Sequence, residues 1–342
     1  MVEELLLGDN PFTGVSHFGQ EKAREEAREA SLENKAMVFE AALDGGATGF
    51  TFCTHESNLK LLTYLSIHRK DLLKAMNYYI LLPYVQSYVR LANVGGTPVL
   101  LREKLRSMLS NWSAIPDIVA SLASSKPERL AGLLIKTEIA PYLSILPSGK
   151  VKAILLHEIL TDSIMAFGLT DLLKSLNDYV QKRIGFSFGL HTKNFGCLCM
   201  QEFLARGCPE YVMTSINALG YMMAPSKEAV EKAMNRLRGK TKIIAINVLA
   251  AGAVDLDTAT KYMCRFKSNI WGVTSASTKP DRAYQNFQKL RNSLCETRAP
   301  NLSGTAVGVS SKEHAHDTFT RLARMTEVSD RTASEPAKQA SG

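Results

Sequence analysis

Two histidine–glutamate pairs, His55-Glu56 and His157-Glu158, each follow a short apolar run of the sequence. Four of the five histidines in residues 1–297 fall where a predicted strand ends: His17, His55, His157 and His191. Imidazole exchanges protons near neutral pH, and carboxylates can share that work. The pattern predicts general acid–base catalysis, and Tyr84, which follows another apolar run, is a further candidate proton donor.

The same residue types also bind metal ions. A site built from His55, Glu56, His157 and His191 is chemically feasible, but these histidines lack H-x-H or H-x-x-x-H spacing. We therefore expect no resident metal. Lys193, which follows the fifth predicted strand, has two interpretations, a Schiff-base lysine or an ordinary surface charge.

The segment from Thr274 to Asn286 lies where the last predicted strand meets the last predicted helix. Two of its serines and two of its cations are here called the anion cradle: Ser275, Ser277, Lys279 and Arg282. Pro280 suits a first helical turn, where unpaired N–H groups and the positive end of the helix dipole attract phosphate. The segment predicts a phosphate-binding site, and Asn217 and Asn247, which follow two nearby strands, are further cofactor-binding candidates.

Eight short apolar runs, each followed by a stretch of helical periodicity, must position these residues. The predicted strands are Leu5–Leu7, Thr48–Thr54, Tyr78–Pro83, Lys152–His157, Arg183–Phe188, Tyr211–Ile216, Lys242–Val248 and Asn269–Thr274. Runs that are apolar on both faces favour a parallel sheet covered on both sides. Closing eight such α/β units gives a (β/α)8 TIM barrel, whose active site lies at the carboxyl ends of the strands. An open doubly wound sheet would carry a G-x-G-x-x-G turn, which Gly8–Gly14 lacks.

The domain prediction is a single TIM barrel over residues 1–297. The connection between the third and fourth strands, residues 84–150, is longer than one crossover needs. Residues 298–342 are poor in apolar side chains towards their end and are predicted to form a flexible C-terminal tail.

Charge and composition narrow the classes of molecule that the protein is expected to bind. The 342 residues include 41 Lys and Arg against 33 Asp and Glu, a net charge of +8, which favours phosphate-bearing partners. Without a basic run or a nucleic-acid module, a small molecule is favoured over nucleic acid. No apolar run reaches the roughly 18 residues of a membrane span, and the acidic N-terminus is unlike a signal peptide. Of the six cysteines four are scattered and two form a C-x-C pair, which suits reduced thiols, so we expect a cytoplasmic protein.

Several of these segments resemble the aldo-keto reductase superfamily. Ser277-x-x-Pro280-Asp281-Arg282-x-x-x-Asn286 is similar to the family's S-x-x-P-E-R-x-x-x-N, which grips the adenosine phosphate of NADPH. Four shorter stretches also resemble family strands: Gly49–Thr54, Leu155–His157, Arg183–Phe188 and Ile246–Gly252. The resemblance implies a TIM barrel that binds NADP(H), and it adds Asn286 to the cofactor-binding candidates and assigns the family's active-site histidine to His157.

The chain departs from the family at the other catalytic positions. Cys53 stands where the family has an aspartate, the family's tyrosine has no counterpart although Asn58 is nearby, and Tyr79–Tyr84 offers no lysine. The first hypothesis is an NADP(H)-dependent oxidoreductase in which His157, with His55 or Tyr84, donates the proton. Its alternatives are a lyase, aldolase or isomerase acting on a phosphorylated small molecule through His55, Glu56, His157 and Glu158, and a catalytically silent nucleotide-binding barrel.

Overall fold

The computed structural model describes residues 1–14, 31–83, 127–207 and 209–295. Within them, eight parallel strands close into a barrel in the order of the chain. The strands are β1 Glu4–Gly8, β2 Gly49–Cys53, β3 Asn77–Leu82, β4 Val151–Leu156, β5 Ser187–His191, β6 Tyr211–Ser215, β7 Lys242–Ile246 and β8 Gly272–Ser275. The predicted (β/α)8 TIM barrel is confirmed.

Helices follow the strands and pack on the outer face of the barrel. The α-helices of the described residues are α1 Asn10–Thr13, α2 Leu32–Gly45, α3 Glu56–His68, α4 Lys70–Ala75, α5 Pro127–Leu143, α6 Glu158–Ala166, α7 Thr170–Tyr179, α8 Leu198–Leu204, α9 Lys227–Arg236, α10 Leu256–Cys264 and α11 Pro280–Leu294. The first and last long helices, α2 and α11, approach closely, because a Cβ at Gly45 would lie 2.6 Å from the carbonyl oxygen of Tyr284. Glycine is therefore required there.

Side chains alternate between two hydrophobic clusters, as they must along strands that are covered on both faces. The inner cluster fills the barrel with Leu6, Tyr79, Ala153, Leu155, Tyr211, Met213 and Ile244, and Leu81 packs against it. The outer cluster lies between the strands and the helices. Residues paired in register share a face, so Cys53, the partner of Leu81, and His191, the partner of Met213, point into the barrel at its carboxyl end.

Two local predictions were wrong. Arg183–Phe188 was predicted as strand five, but Val180–Ile184 continues α7 as a turn of π-helix that ends at Gly185 with φ of 87°. The strand starts at Ser187, so that His191 is its last residue. After β2, the sequence itself suggests Ser57 as the N-cap of the following helix, but α3 begins at Glu56 and His55 caps it.

Some predictions fall outside the described residues. These are His17, Tyr84, much of the long connection after β3, and the tail over residues 298–342. The division of the chain at residue 297 stays a prediction for the same reason. No helix in the described part of the chain has the length and apolar character needed to cross a membrane.

Candidate active site

His157 follows β4 and caps α6 with its imidazole. Its Nδ1 accepts the backbone N–H of Ile159 at 3.3 Å, in the way that a side-chain oxygen usually caps a helix. An accepting Nδ1 carries no hydrogen, so the neutral ring holds its hydrogen on Nε2. Burial lowers the pKa of His157 to about 4. At neutral pH this side chain is therefore an uncharged hydrogen-bond donor.

Glu158, the first residue of α6, joins the ends of β4 and β5. Its Oε2 lies 2.5 Å from Nδ1 of His191, and its Oε1 lies 2.9 Å from Nζ of Lys193. Burial raises the pKa of Glu158, but the bonds to His191 and Lys193 outweigh it and hold the pKa well below its usual range. The carboxylate is thus an anion at neutral pH, partnered on both oxygens.

His191 offers the complementary ring nitrogen. Its buried Nδ1 is not aligned for a linear hydrogen bond, yet the Glu158 carboxylate is the polar group it meets in the described part of the chain. A carboxylate at that distance favours a hydrogen on Nδ1, so the uncharged tautomer of His191 would present Nε2 as an acceptor. The His157 and His191 rings stand nearly perpendicular with centroids 5.8 Å apart. The pair therefore presents one donor and one acceptor.

Asp162, one turn further along α6, fixes the loop that carries Lys193. Its Oδ1 accepts the hydroxyl of Thr192 at 2.5 Å, and its Oδ2 accepts the backbone N–H of Lys193 at 3.1 Å. Residues four apart on a helix share a face, so Glu158 and Asp162 reach the same loop. The loop is thereby held where the Lys193 side chain meets Glu158.

A second polar cluster lies at the ends of β1 and β2. Oδ2 of Asp9 accepts the backbone N–H of Cys53 at 2.8 Å and Nδ2 of Asn58 at 2.6 Å, and it lies 2.9 Å from the Cys53 thiol. Burial raises the pKa of Asp9 and raises that of the Cys53 thiol well above its ordinary value. Asp9 was not among the candidate site residues named from the sequence, although a lone acid directly after a buried strand was an available signal.

His55 and Glu56 do not join the His157 group. Nδ1 of His55 accepts the N–H of Ser57 at 3.1 Å, and its carbonyl oxygen accepts the Tyr142 hydroxyl at 3.0 Å. Glu56 is exposed and pairs with Lys60 of the same helix at 2.7 Å. The structure thus gives His55 a capping role at α3 and turns the Glu56 carboxylate to solvent.

The anion cradle divides into two parts. Ser275 shares a face with Leu7 of the outer cluster, and its Oγ accepts Nδ2 of Asn286 at 3.2 Å, which fastens β8 to α11. Ser277 Oγ accepts the backbone N–H of Lys279 at 3.0 Å just before the first turn of α11. The cations of Lys279 and Arg282 are exposed, and neither forms an ion pair within the described residues. These two cations and the helix N-terminus face outward together.

The remaining two cofactor-binding candidates, Asn217 and Asn247, lie in the loops after β6 and β7. Both polar ends of the Asn217 amide bond the backbone of Tyr221, at 2.8 and 2.9 Å, so this side chain shapes its own loop. Asn247 donates to Ser215 Oγ at 2.9 Å from a left-handed backbone with φ of 53°. Ala250 and Ala251 also have positive φ, a costly conformation for alanine that gathers at functional loops.

The sequence made a metal site of His55, Glu56, His157 and His191 chemically feasible. The described residues contain no group of three or more histidine, cysteine, aspartate or glutamate side chains placed to hold a metal ion.

No family model matches the chain, and no curated protein does. Among solved structures it is similar to a provisionally assigned aldo-keto reductase from Pseudomonas aeruginosa, with 11% identity, a TM-score of 0.52, and coverage of 86% of this chain and 92% of that one. It is also similar to an aldo-keto reductase from Bacillus halodurans in its holo form, with 10% identity, a TM-score of 0.50, and coverage of 92% and 91%. A third, from Klebsiella pneumoniae in complex with NADPH, has 10% identity and a TM-score of 0.46 over 92% and 89%. The first two likenesses show that the chain has the barrel fold of the aldo-keto reductases.

Proposed function

We propose that the chain is an NADP(H)-dependent oxidoreductase that interconverts a carbonyl and an alcohol at the carboxyl end of the barrel. The observation that carries the proposal is the pair of imidazoles, His157 and His191, set beside Glu158 as one donor and one acceptor. Carbonyl chemistry needs a fixed donor where negative charge develops on oxygen, and a neutral imidazole can serve. The shared fold adds support by analogy.

The residues at β8 and α11 fit a phosphorylated nicotinamide cofactor. The helix leaves the N–H groups of Asp281 and Arg282 without intrahelical partners, and the exposed cations of Lys279 and Arg282 flank them. Arg282 would hold the 2′-phosphate that distinguishes NADP(H) from NAD(H). Ser277, Asn286 and Ser275 shape the turn, and Asn217 and Asn247 shape the loops beside it. When bound, the cofactor supplies or accepts a hydride.

The imidazoles would orient and polarise the carbonyl. His157 would donate Nε2–H to the carbonyl oxygen, and His191 would accept a hydrogen bond at Nε2 while Glu158 holds its other nitrogen. Because the pKa of His157 is lowered to about 4, this ring is not a charged acid at neutral pH. It stabilises the developing negative charge, and the proton that the oxygen gains comes from another group.

The same arrangement fits a second function, isomerisation or cleavage of a phosphorylated carbonyl compound. The observation that favours it is Lys193, whose Nζ is fixed 2.9 Å from Glu158 beside both imidazoles. In that case the cradle would hold the phosphate of the substrate, and His157 and Glu158 would polarise and deprotonate its carbon skeleton. His55 and Glu56, named with them from sequence, lie at the start of α3, two strands away along the barrel.

Calorimetric titration with NADPH and NADH tests the first function. Calorimetry is preferred to protein fluorescence because Trp271 packs with Tyr79 and Tyr211 before β8 begins, at the opposite end of the barrel from the cradle. We expect a micromolar dissociation constant for NADPH. Arg282→Ala should weaken NADPH binding about tenfold and NADH binding much less, because it removes the partner of the 2′-phosphate.

Lys289→Ala is the matched control for charge. It removes one cation from the same helix, but Lys289 is paired with Asp257 at 2.6 Å on the later turns. NADPH affinity should not change in this variant. Absence of NADPH binding at millimolar concentration would contradict the oxidoreductase proposal, and inorganic phosphate or a sugar phosphate bound through Arg282 would then favour the second function.

A further inference from the structure

The proton that a reduced carbonyl oxygen gains needs a donor other than the neutral His157. Among the described residues at the carboxyl end of the barrel, Asp9 offers a buried carboxyl group that forms no ion pair with a described cation. Asp9 follows β1. This strand pairs on one side with β8, which leads into the anion cradle, and on the other side with β2, which ends at Cys53. The carboxyl therefore lies on the cradle side of the barrel mouth.

The hydrogen bonds of Asp9 are all on one oxygen. The donors from Cys53 and Asn58 converge on Oδ2, and no hydrogen bond from another described residue ends on Oδ1. A protonated carboxyl has one accepting oxygen and one hydroxyl, and this asymmetry matches it, with Oδ2 accepting and the hydroxyl on Oδ1.

The surroundings favour the same protonation state. Burial is the largest influence on Asp9 and raises its pKa. The titratable groups that face this cluster are the Cys53 thiol of β2 and, from α5, Glu138 and Tyr142, none of which is a cation. Lys35 of α2 directs its ammonium to the carbonyl oxygen of Phe12 instead. No described cation therefore pairs with the Asp9 carboxyl.

We propose that Asp9 is the acid of this active site, donating the proton of its Oδ1 hydroxyl to the substrate oxygen while Cys53 and Asn58 hold Oδ2. The inference rests on the proposed carbonyl reduction. In that reaction the carbonyl carbon gains a hydride from reduced nicotinamide and the oxygen gains a proton. The O–H bond of Asp9 breaks, an O–H bond forms on the alcohol, and the carboxylate takes a proton back from solvent.

The barrel wall places this acid within reach of the oxygen that His157 binds. Neighbouring strands are about 4.8 Å apart, so Cys53 and His157, two strands apart, begin about 10 Å from each other on the wall. Both side chains point inward at the same end, as does Leu81 between them. A carbonyl bound above Leu81 would meet His157 on one side and Asp9 on the other.

Infrared difference spectroscopy tests the protonation state without any substrate. We expect a protonated-carboxyl C=O band in the wild type near neutral pH that disappears in Asp9→Asn. Asp162→Asn is the matched control, because Asp162 is also a buried acid but accepts hydrogen bonds on both oxygens, so this variant should keep the band. If the Asp9 band is missing at pH 6, the proposal is overturned.

Turnover then tests the proton transfer, with 4-nitrobenzaldehyde and NADPH as the probe. Asp9→Asn should lower kcat about 100-fold and flatten its pH profile while the dissociation constant of NADPH changes less than about twofold. Asp9→Glu, which keeps the acid but moves it, should restore part of kcat. Unchanged kcat and pH profile in Asp9→Asn would refute the role of Asp9 as the acid. If the wild type binds NADPH but does not reduce the aldehyde, the proposed function is contradicted instead. The infrared result then decides the protonation state of Asp9 by itself.

Discussion

The sequence His-Glu occurs at the ends of two strands, and the structure treats the two copies differently. His55 and His157 both cap the helix that follows, each through Nδ1 to the N–H two residues on. Glu56 then turns to solvent and pairs with Lys60 of its own helix. Glu158 instead turns inward and pairs with His191 and Lys193 of the neighbouring β5 unit.

The difference comes from the next strand and not from the dipeptide. The lysine contacts have nearly equal length, 2.7 Å at Glu56 and 2.9 Å at Glu158, but Glu56 is 75% exposed and Glu158 is 15% exposed. The first pair is screened by water, and the second is a buried anion held by two partners. Local sequence therefore sets the helix cap, and the neighbouring unit decides whether the site can do chemistry.

The largest expected effect is the loss of the buried anion. Glu158→Gln removes the buried carboxylate that contacts His191 and Lys193 and should lower the free energy of unfolding by about 3 kcal/mol. Glu56→Gln is the matched control and should lower it by less than about 0.5 kcal/mol. Urea unfolding at pH 7 measures both. Equal effects of the two substitutions would show that the β5 partners do not distinguish the sites.

The second comparison separates capping from catalysis. Asparagine is a good N-cap, so His157→Asn and His55→Asn should both keep their helices. His157→Asn should lower kcat for aldehyde reduction about 100-fold, because the donor to the carbonyl oxygen is lost. His55→Asn should change kcat less than about threefold. A large loss of turnover in His55→Asn would restore the sequence-based role of His55 as a catalytic residue.

The fold was predictable because its signal repeats along the whole chain. Eight apolar runs with intervening helices have few compact solutions, and all eight strands were located, although β5 was placed too early. Within the site, His157, Glu158 and His191 were identified correctly as neighbours of strand ends, since parallel strands bring those ends together. Their catalytic roles stay predictions.

Side-chain partners were not predictable from the same reasoning. Glu56 turns outward to Lys60 of its own helix, whereas Glu158 turns inward to His191 and Lys193, which lie more than 30 residues away in the sequence. Asp9 was missed because its partners, Cys53 and Asn58, come from the following unit. Spacing along the chain carries no information on such contacts.

A third prediction uses pH. The pKa of His157 falls from its ordinary value of 6.5 to about 4 on folding, so between these values the unfolded chain binds a proton that the folded chain does not. Folding is therefore weakened as the pH falls through that window, by about 2 kcal/mol between pH 6.5 and 4.5. His157→Asn should remove this slope. Glu56→Gln should retain it, because Glu56 is an exposed carboxylate whose pair with Lys60 contributes little to stability.

The smallest expected effect concerns the two lysines. Lys193→Met should lower the free energy of unfolding by about 1 kcal/mol, since Lys193 is 42% exposed and His191 still faces Glu158. Lys60→Met, at the matched position beside Glu56, should lower it by less than about 0.5 kcal/mol. Urea unfolding at low and high salt distinguishes the two variants, because salt should weaken the exposed contact of Lys60 with Glu56 more than the contact of Lys193 with Glu158. If the two lysine variants behave alike at both ionic strengths, Lys193 contributes no more than Lys60 does. The difference between the two His-Glu sites would then come from the contact of Glu158 with His191.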